Sequence, residues 1–276
     1  MKLSFTTLGC PDWSLEQIAK NAQAFGYEGV ELRTHSDGNH FSPDASAGEA
    51  KKVAEMFRAH GAPVFSVMGY TRFAFLDQAE VAKNQELMRK LIGVAEAMGA
   101  KYIRTFAGNL PKGADIEAMT ETVASAIRPL AREAASRGVK LAMETHDDWC
   151  GSARLKKLSG MIGEPNGFGL VYDIFNCIHA GIEKWEDTYA ALKPQILYCH
   201  LKDGWFSEDH KKHTYVPIGA GDLPLHAVVK KLKADGFNSY FSFEWEKKWH
   251  PELEPPERIF PQFTHKMKRV WNGIEP

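Results

Sequence analysis

Residues 97–106 read AMGAKYIRTF and residues 136–145 read SRGVKLAMET. In both, a glycine ends a run with helical periodicity and a short β-prone run follows almost at once. Glycine suits the left-handed position just past a helix C-terminus, so each stretch reads as a helix-to-strand turn. The same device recurs in AFGYEGVELR from Ala24, AHGAPVFSV from Ala59 and ADGFNSYFSFE from Ala234. The repeating unit is a strand followed by a helix.

Working outward from these turns, apolar residues recur at helical spacing. Leu15, Ile18, Ala19, Ala22 and Phe25 share one face, as do Leu87, Leu91, Val94 and Met98, and Met119, Val123, Ala126, Ile127, Leu130 and Ala134. Ser14, Asp115 and Asp222 stand where N-caps belong. Strands are expected near residues 3–7, 28–33, 63–68, 101–106, 139–144, 168–173, 196–201 and 239–244. Eight strands alternating with helices imply a parallel sheet with right-handed crossovers, and the chain length suits closure. A doubly wound open sheet would want a glycine-rich phosphate loop after the first strand, where the chain reads LGCPDWS. The expected fold class is therefore α/β, a single (β/α)8 TIM barrel, with residues 1–276 forming one domain. Trp205–Asp222 and Trp245–Pro256 break the repeat. Their Trp, His and charge content is that of binding loops.

Composition narrows the classes of partner. The 34 Lys and Arg nearly cancel 35 Asp and Glu, for a net charge of -1, so no bulk field points to nucleic acid or an anionic membrane. A small molecule is the expected ligand. No stretch is apolar for the ~20 residues of a membrane helix, and MKLSFTTLGC turns polar too early for a signal peptide. Cys10, Cys150, Cys177 and Cys199 form no CxxC and read as free packing thiols, suited to a cytoplasmic location.

The chemistry gathers at the ends of the second-half strands. Strand five runs out at Glu144 in KLAMETH, strand six at Asp173 in GLVYD, strand seven at His200 in LYCH, and strand eight at Glu244 in YFSFE. The C-terminal end of a barrel strand is where side chains face a ligand. Three carboxylates and one imidazole suit Mn²⁺, Mg²⁺, Co²⁺ or a similar ion with open positions for water or substrate. Three buried anions on one axis would repel each other, so the set implies a metal or matching protonation.

The quartet with its contexts, METH, VYDIFN, CHLKDG and FEWE, together with GYEGVELR, resembles the xylose-isomerase-like (β/α)8 superfamily of sugar and sugar phosphate isomerases and epimerases. The resemblance extends to relatives of the inosose dehydratase and endonuclease IV kinds. It implies one divalent cation on Glu144, Asp173, His200 and Glu244. Mn²⁺ is the expected ion, with Mg²⁺, Co²⁺ or Zn²⁺ as alternatives. Two departures bear on the reaction. Many relatives carry Asp-x-x-His after strand six where this chain has Asp173-Ile-Phe-Asn176, and ketose 3-epimerases place an arginine where Lys202 stands. The extra histidines of the endonuclease branch are missing from SVMG and RTFAG at strand ends three and four.

On this reading the protein is an isomerase or epimerase of a sugar or keto-sugar derivative. It would work through a metal-stabilised enediolate, with Glu144 and Glu244 exchanging protons with carbon. A metal-dependent lyase or dehydratase, eliminating water or a leaving group, shares the first half of that chemistry. A non-catalytic sugar-binding barrel is the third reading. Candidate substrate contacts are Lys202, His146, Asn176, Arg104, Glu246 and His213, where Lys202 has a salt bridge to Asp203 or Glu246 as its plainer role and Arg104 a pair with Glu144. His200 needs an acceptor for its second ring nitrogen. Trp13, Trp205 and Trp245 are candidates to stack on a sugar face. Apolar helix faces leave a homo-oligomer open.

Overall fold

The structure, a computed structural model, describes residues 1–274; the last two positions of the expected 1–276 domain lie outside the described residues. In chain order the strands are β1 (Lys2–Thr6), β2 (Gly29–Arg33), β3 (Val64–Met68), β4 (Tyr102–Thr105), β5 (Lys140–Glu144), β6 (Phe168–Asp173), β7 (Ile196–Leu201), β8 (Asp203–Phe206), β9 (His213–Val216) and β10 (Tyr240–Phe243). The helices are α1 (Leu15–Phe25), α2 (Ala47–Ala59), α3 (Gln78–Met98), α4 (Ile116–Ser136), α5 (Ser152–Ile162), α6 (Ile174–Ala180), α7 (Trp185–Leu192), α8 (Leu225–Ala234) and α9 (Pro256–Trp271). Eight strands close into a barrel in the order β1-β10-β7-β6-β5-β4-β3-β2, every neighbouring pair parallel. This is a (β/α)8 TIM barrel, as the strand–helix alternation predicts.

The turn glycines carry the geometry read from sequence. Gly26, Gly61, Gly99, Gly138 and Gly236 all have φ between 70° and 77°, a conformation that costs a residue with a Cβ more than it costs glycine. Ser14 caps α1 in a reciprocal box with Gln17, and the Asp115 side chain caps α4. Asp222 does not cap a helix. Helix α8 begins only at Leu225, and the Asp222 carboxylate instead accepts the Phe206 N–H at 2.8 Å, bracing the loop after β7.

That loop, where the composition suggests a binding loop that breaks the repeat, holds a hairpin: β8 and β9 pair antiparallel outside the barrel. Asp203 ties it down. Its two carboxylate oxygens accept N–H groups from Gly204, Gly219, Gly221 and Leu223 at 2.8–3.1 Å. The second excursion, after β10, contains no regular element before α9.

Packing follows the alternation of the strands. Outward residues such as Leu3, Val67, Leu141, Leu170, Cys199 and Phe241 are buried under the helices. Inward residues at the N-terminal end of the barrel, Phe65, Ala142, Val171 and Tyr198, form a separate small cluster, a plug on which the polar layer above rests. All four cysteines are free and buried. Trp13 and Trp245 are packing residues and not open stacking faces: both are buried, donating to Glu257 and to the Glu254 carbonyl. Trp205 is 54% exposed on β8.

Candidate metal centre

Pleating sends residues two apart to the same face, so Tyr198, His200 and Lys202 all enter the barrel from β7 and its continuation. Register aligns their neighbours. His200 lies beside Asp173 of β6 on one side and Ser242 of β10 on the other. Glu144 is the last residue of β5 and Asp173 the last of β6, whereas β7 continues one residue past His200 to Leu201 and β10 ends at Phe243, just before Glu244. The Glu244 N–H still donates to the Leu201 carbonyl at 2.9 Å, so the ladder holds it in place.

These strand ends bring Glu144, Asp173, His200 and Glu244 together. Among the described residues they are the one group of three or more His, Cys, Asp or Glu whose ligand atoms converge to within 4.8 Å. All four are buried, none more than 3% exposed. One of their atoms, His200 Nδ1, lacks a hydrogen-bond partner, and Asp173 Oδ2 is met by the Lys202 ammonium alone. A buried imidazole nitrogen left without a partner inside an oxygen-rich set fits a divalent cation.

The surroundings orient the ligands. His200 Nε2 contacts Glu31 Oε2 at 2.8 Å, leaving Nδ1 toward Glu144 and Glu244 at 3.6 and 3.4 Å. Glu31, at the core of the barrel on β2, is the acceptor His200 needs. It also accepts from Tyr198 Oη at 2.7 Å, Ser242 Oγ at 3.2 Å and Ser66 Oγ at 3.3 Å. Asp173 Oδ1 accepts the Asn176 N–H and so caps α6, while Thr145 Oγ1 and the Asp173 backbone exchange two bonds. Asn176 turns its amide to Glu144 Oε1 and the Thr145 carbonyl, at 3.3 and 3.2 Å. It links two of the candidate ligands.

Two buried cations face the carboxylates. Arg104 reaches Glu144 Oε2 at 2.9 Å and Glu244 Oε1 at 3.4 Å, and its other nitrogens donate to the Gly69 carbonyl. Its guanidinium lies over the rings of Tyr70 and Phe106, 4.7 and 4.3 Å from their centroids. The expected pair with Glu144 is present, so this guanidinium is engaged within the protein. Lys202 Nζ sits 2.6 Å from Glu244 Oε2, 2.8 Å from Asp173 Oδ2 and 3.2 Å from Glu246 Oε1. Of its two expected partners it takes Glu246 and not Asp203, whose oxygens are committed to the backbone of the hairpin loop.

Charge in this pit sets the protonation of its members. Burial and Glu244 push the Glu144 carboxyl up, but Arg104 and His200 outweigh them and hold it at about 2. Glu244 is likewise held well below the usual range: burial opposes ionisation, while Lys202 and His200 more than compensate. Asp173 goes the other way, to about 6, because burial and its two carboxylate neighbours outweigh Lys202. Burial disfavours the imidazolium of His200, yet Glu244, Glu31 and Glu144 raise it well above the usual histidine range. Five carboxyl groups thus share Arg104, Lys202 and one imidazole. A divalent ion would relieve that excess and displace protons from Asp173 and His200.

The remaining candidates stand to one side. His146 lies against Phe106 and contacts Asp147, which has φ of 51°. His213 on β9 packs against His179, Phe175 and Tyr215, and Tyr215 Oη donates to Glu246 Oε1 at 2.8 Å. Glu246 therefore joins Lys202 to the hairpin. Sequence reasoning missed Glu31 and Tyr198 as functional neighbours. The signal was the period of two: Tyr198 shares the inward face with His200, and a lone Glu inside VELR is a charge the barrel must bury.

No curated protein matches the chain. Solved structures with the same fold include the IOLI protein with a binding zinc atom (TM-score 0.81, 20% identity, 99% of each chain covered) and L-ribulose 3-epimerase (TM-score 0.80, 17% identity, 99% of this chain and 95% of that one). The probable 3-DHS dehydratase AsbF of Bacillus anthracis aligns with TM-score 0.78 and 19% identity over 98% of each chain. The model of the xylose isomerase-like TIM barrel family matches residues 19–262, and this chain belongs to that family.

Proposed function

We propose that this protein is a divalent-metal-dependent isomerase or epimerase of a sugar or keto-sugar derivative, its whole length acting as one catalytic domain. The observation that carries the reading is the convergence of Glu144, Asp173, His200 and Glu244 on one buried point at the catalytic end of the barrel. These four would hold the ion, for which Mn²⁺ is our first choice, with Zn²⁺ supported by the zinc-bearing IOLI relative. When bound, the ion would supply Lewis-acid polarisation of a substrate carbonyl and of the adjacent hydroxyl.

The protein's own groups account for the proton traffic. Both Glu144 and Glu244 are held ionised, so each is a base at neutral pH. One would take the proton from the carbon next to the carbonyl. The same carboxyl can return it to the neighbouring carbon, giving isomerisation, or the opposite carboxyl can deliver a proton to the other face, giving epimerisation. Arg104 bridges the two carboxylates and keeps both ionised and in place. Lys202 braces Glu244 from the far side. The four free, buried cysteines suit a cytoplasmic location.

Elimination is a second reading, supported by the likeness to the probable dehydratase AsbF, because it begins with the same proton removal. Incubating Mn²⁺-loaded protein with keto-sugars in deuterated water tests both. Isomerisation or epimerisation incorporates deuterium and keeps the carbon skeleton's composition, whereas elimination loses water or an aglycone. Full exchange persisting in both Glu144→Gln and Glu244→Gln would refute the two-carboxylate scheme.

A further inference from the structure

Beside the quartet a cavity of about 290 Å³ opens between the loops after β5 and β10, helix α6 and the β8–β9 hairpin. Its floor touches the metal centre through Asn176 and Glu246, and its walls include Asp147, His179, His213 and Tyr215. Besides His146 Nδ1, which faces Asp147 Oδ1 at 2.9 Å, three lining residues keep a buried polar atom without a hydrogen-bond partner: Asp147 Oδ2, His179 Nε2 and His213 Nδ1. Buried polar atoms are rarely left so, and three around one cavity call for a ligand that completes them.

The spacing of these atoms says what kind. Among the described residues the quartet is the one group of three or more such side chains that could hold an ion, so the wall atoms do not make a second ion site of that kind. A molecule with several hydroxyls can reach them separately. A hydroxyl both donates and accepts, and so does a neutral imidazole. Burial keeps both imidazoles uncharged: desolvation, followed by neighbouring positive charge, pulls His179 and His213 below the usual histidine range. No Lys or Arg lines the cavity, and Asp147 and Glu246 do. Lys202, the cation beneath, is already shared by three carboxylates. A phosphate or carboxylate would meet acids there and no lining cation to balance its charge. An aromatic cluster holds the imidazoles from behind the wall: His179 lies nearly parallel to Phe175 and to Phe206, and His213 meets Phe175 in a T-shaped contact. Tyr215, which lines the cavity, offers an aromatic surface suited to the C–H side of a sugar ring.

We infer that this cavity is a subsite for an uncharged, polyhydroxylated part of the substrate that extends beyond the atoms held at the metal centre, with His179 and His213 as its specificity-determining residues. The inference rests on the proposed metal-dependent sugar reading. It adds that the substrate's remote portion is a neutral sugar ring or polyol chain and not a phosphate or acid. Hairpin β8–β9 presents His213 as a preformed wall, because Asp203 and Asp222 anchor the hairpin to its own loop.

Calorimetry on the full chain tests this, first with Mn²⁺ alone and then, on the Mn²⁺-loaded protein, with D-fructose, sucrose and D-fructose 6-phosphate. Wild type should bind at least one neutral probe saturably and more tightly than the phosphate ester. His179→Ala and His213→Ala should each weaken that binding by about tenfold, the scale of one or two lost hydrogen bonds, with Mn²⁺ affinity unchanged; His213→Asn should recover part of the loss. Tighter binding of the phosphate ester, no saturable binding of either neutral probe, or unchanged binding in both alanine variants would overturn the inference. Failure to bind Mn²⁺ would instead bring down the underlying metal reading, and this inference with it.

Discussion

Glu31→Gln is the substitution that probes the metal centre without touching a ligand. Glu31 is fully buried and its two oxygens each receive two donors: Tyr198 Oη and Ser66 Oγ on one, His200 Nε2 and Ser242 Oγ on the other. A glutamine keeps the shape and offers one acceptor oxygen and one NH2. If the NH2 faces Tyr198 and Ser66, their hydroxyls can rotate to accept it. If it faces His200, Nε2 must become the acceptor, and the ring proton moves to Nδ1, the atom turned toward Glu144 and Glu244. That tautomer cannot bind a cation through Nδ1. Bonds to a charged acceptor contribute roughly 1.5–3 kcal/mol each, so the variant should lose about 3 kcal/mol of stability and, through the misoriented imidazole, about 10- to 100-fold in metal affinity. Chelator competition gives the affinity and thermal unfolding of metal-stripped protein gives the stability. Wild-type metal affinity in both Glu31→Gln and Glu31→Leu, which offers His200 no acceptor in any orientation, would refute the claim that Glu31 sets the tautomer of His200.

Other expectations follow from the same contacts. Lys202→Met leaves Asp173, Glu244 and Glu246 without their shared cation, so metal-free protein should lose about 3–5 kcal/mol; added Mn²⁺ should restore more of its melting temperature than it adds to wild type, and equal shifts would count against Lys202 as the internal counter-charge. His40 is pulled down to about 4, chiefly by burial against the bond from its ring to the Cys10 carbonyl at 3.1 Å. Its folded value lies below the unfolded one, so its contribution, up to about 3 kcal/mol, is complete above the unfolded value and is lost as pH falls toward 4. His40→Asn, which tolerates the φ of 67°, should flatten the acid side of the stability profile between those values, and an unchanged profile would discount His40.

Much of the architecture was legible because it is local. A glycine after a helical run marks a turn whatever the rest of the chain does, and each turn so marked carries positive φ. The quartet was legible for a related reason: each member ends an apolar run, and barrel strands carry their last residues to one rim. What stayed hidden depends on partners distant in sequence. Glu31 looks like a polar residue in an alternating strand until closure brings β2 across from β7 and β10. Asp222 has the chemistry of an N-cap, but the antiparallel pairing of β8 with β9 supplied the Phe206 N–H as a competing donor and α8 started later. Of the three partners of Lys202 the sequence offered Glu246; Asp173 and Glu244 stayed hidden because they come from other strand ends, while the neighbouring Asp203 turned to its own loop.

The central claim is that Glu144, Asp173, His200 and Glu244 hold one divalent ion. Its most direct test is titration of chelator-stripped protein with Mn²⁺, read as stoichiometry and affinity for wild type and for Asp173→Asn and His200→Ala. The account predicts one ion per chain in wild type and its loss in both variants; no saturable site in wild type, or an undiminished site in the variants, would contradict it.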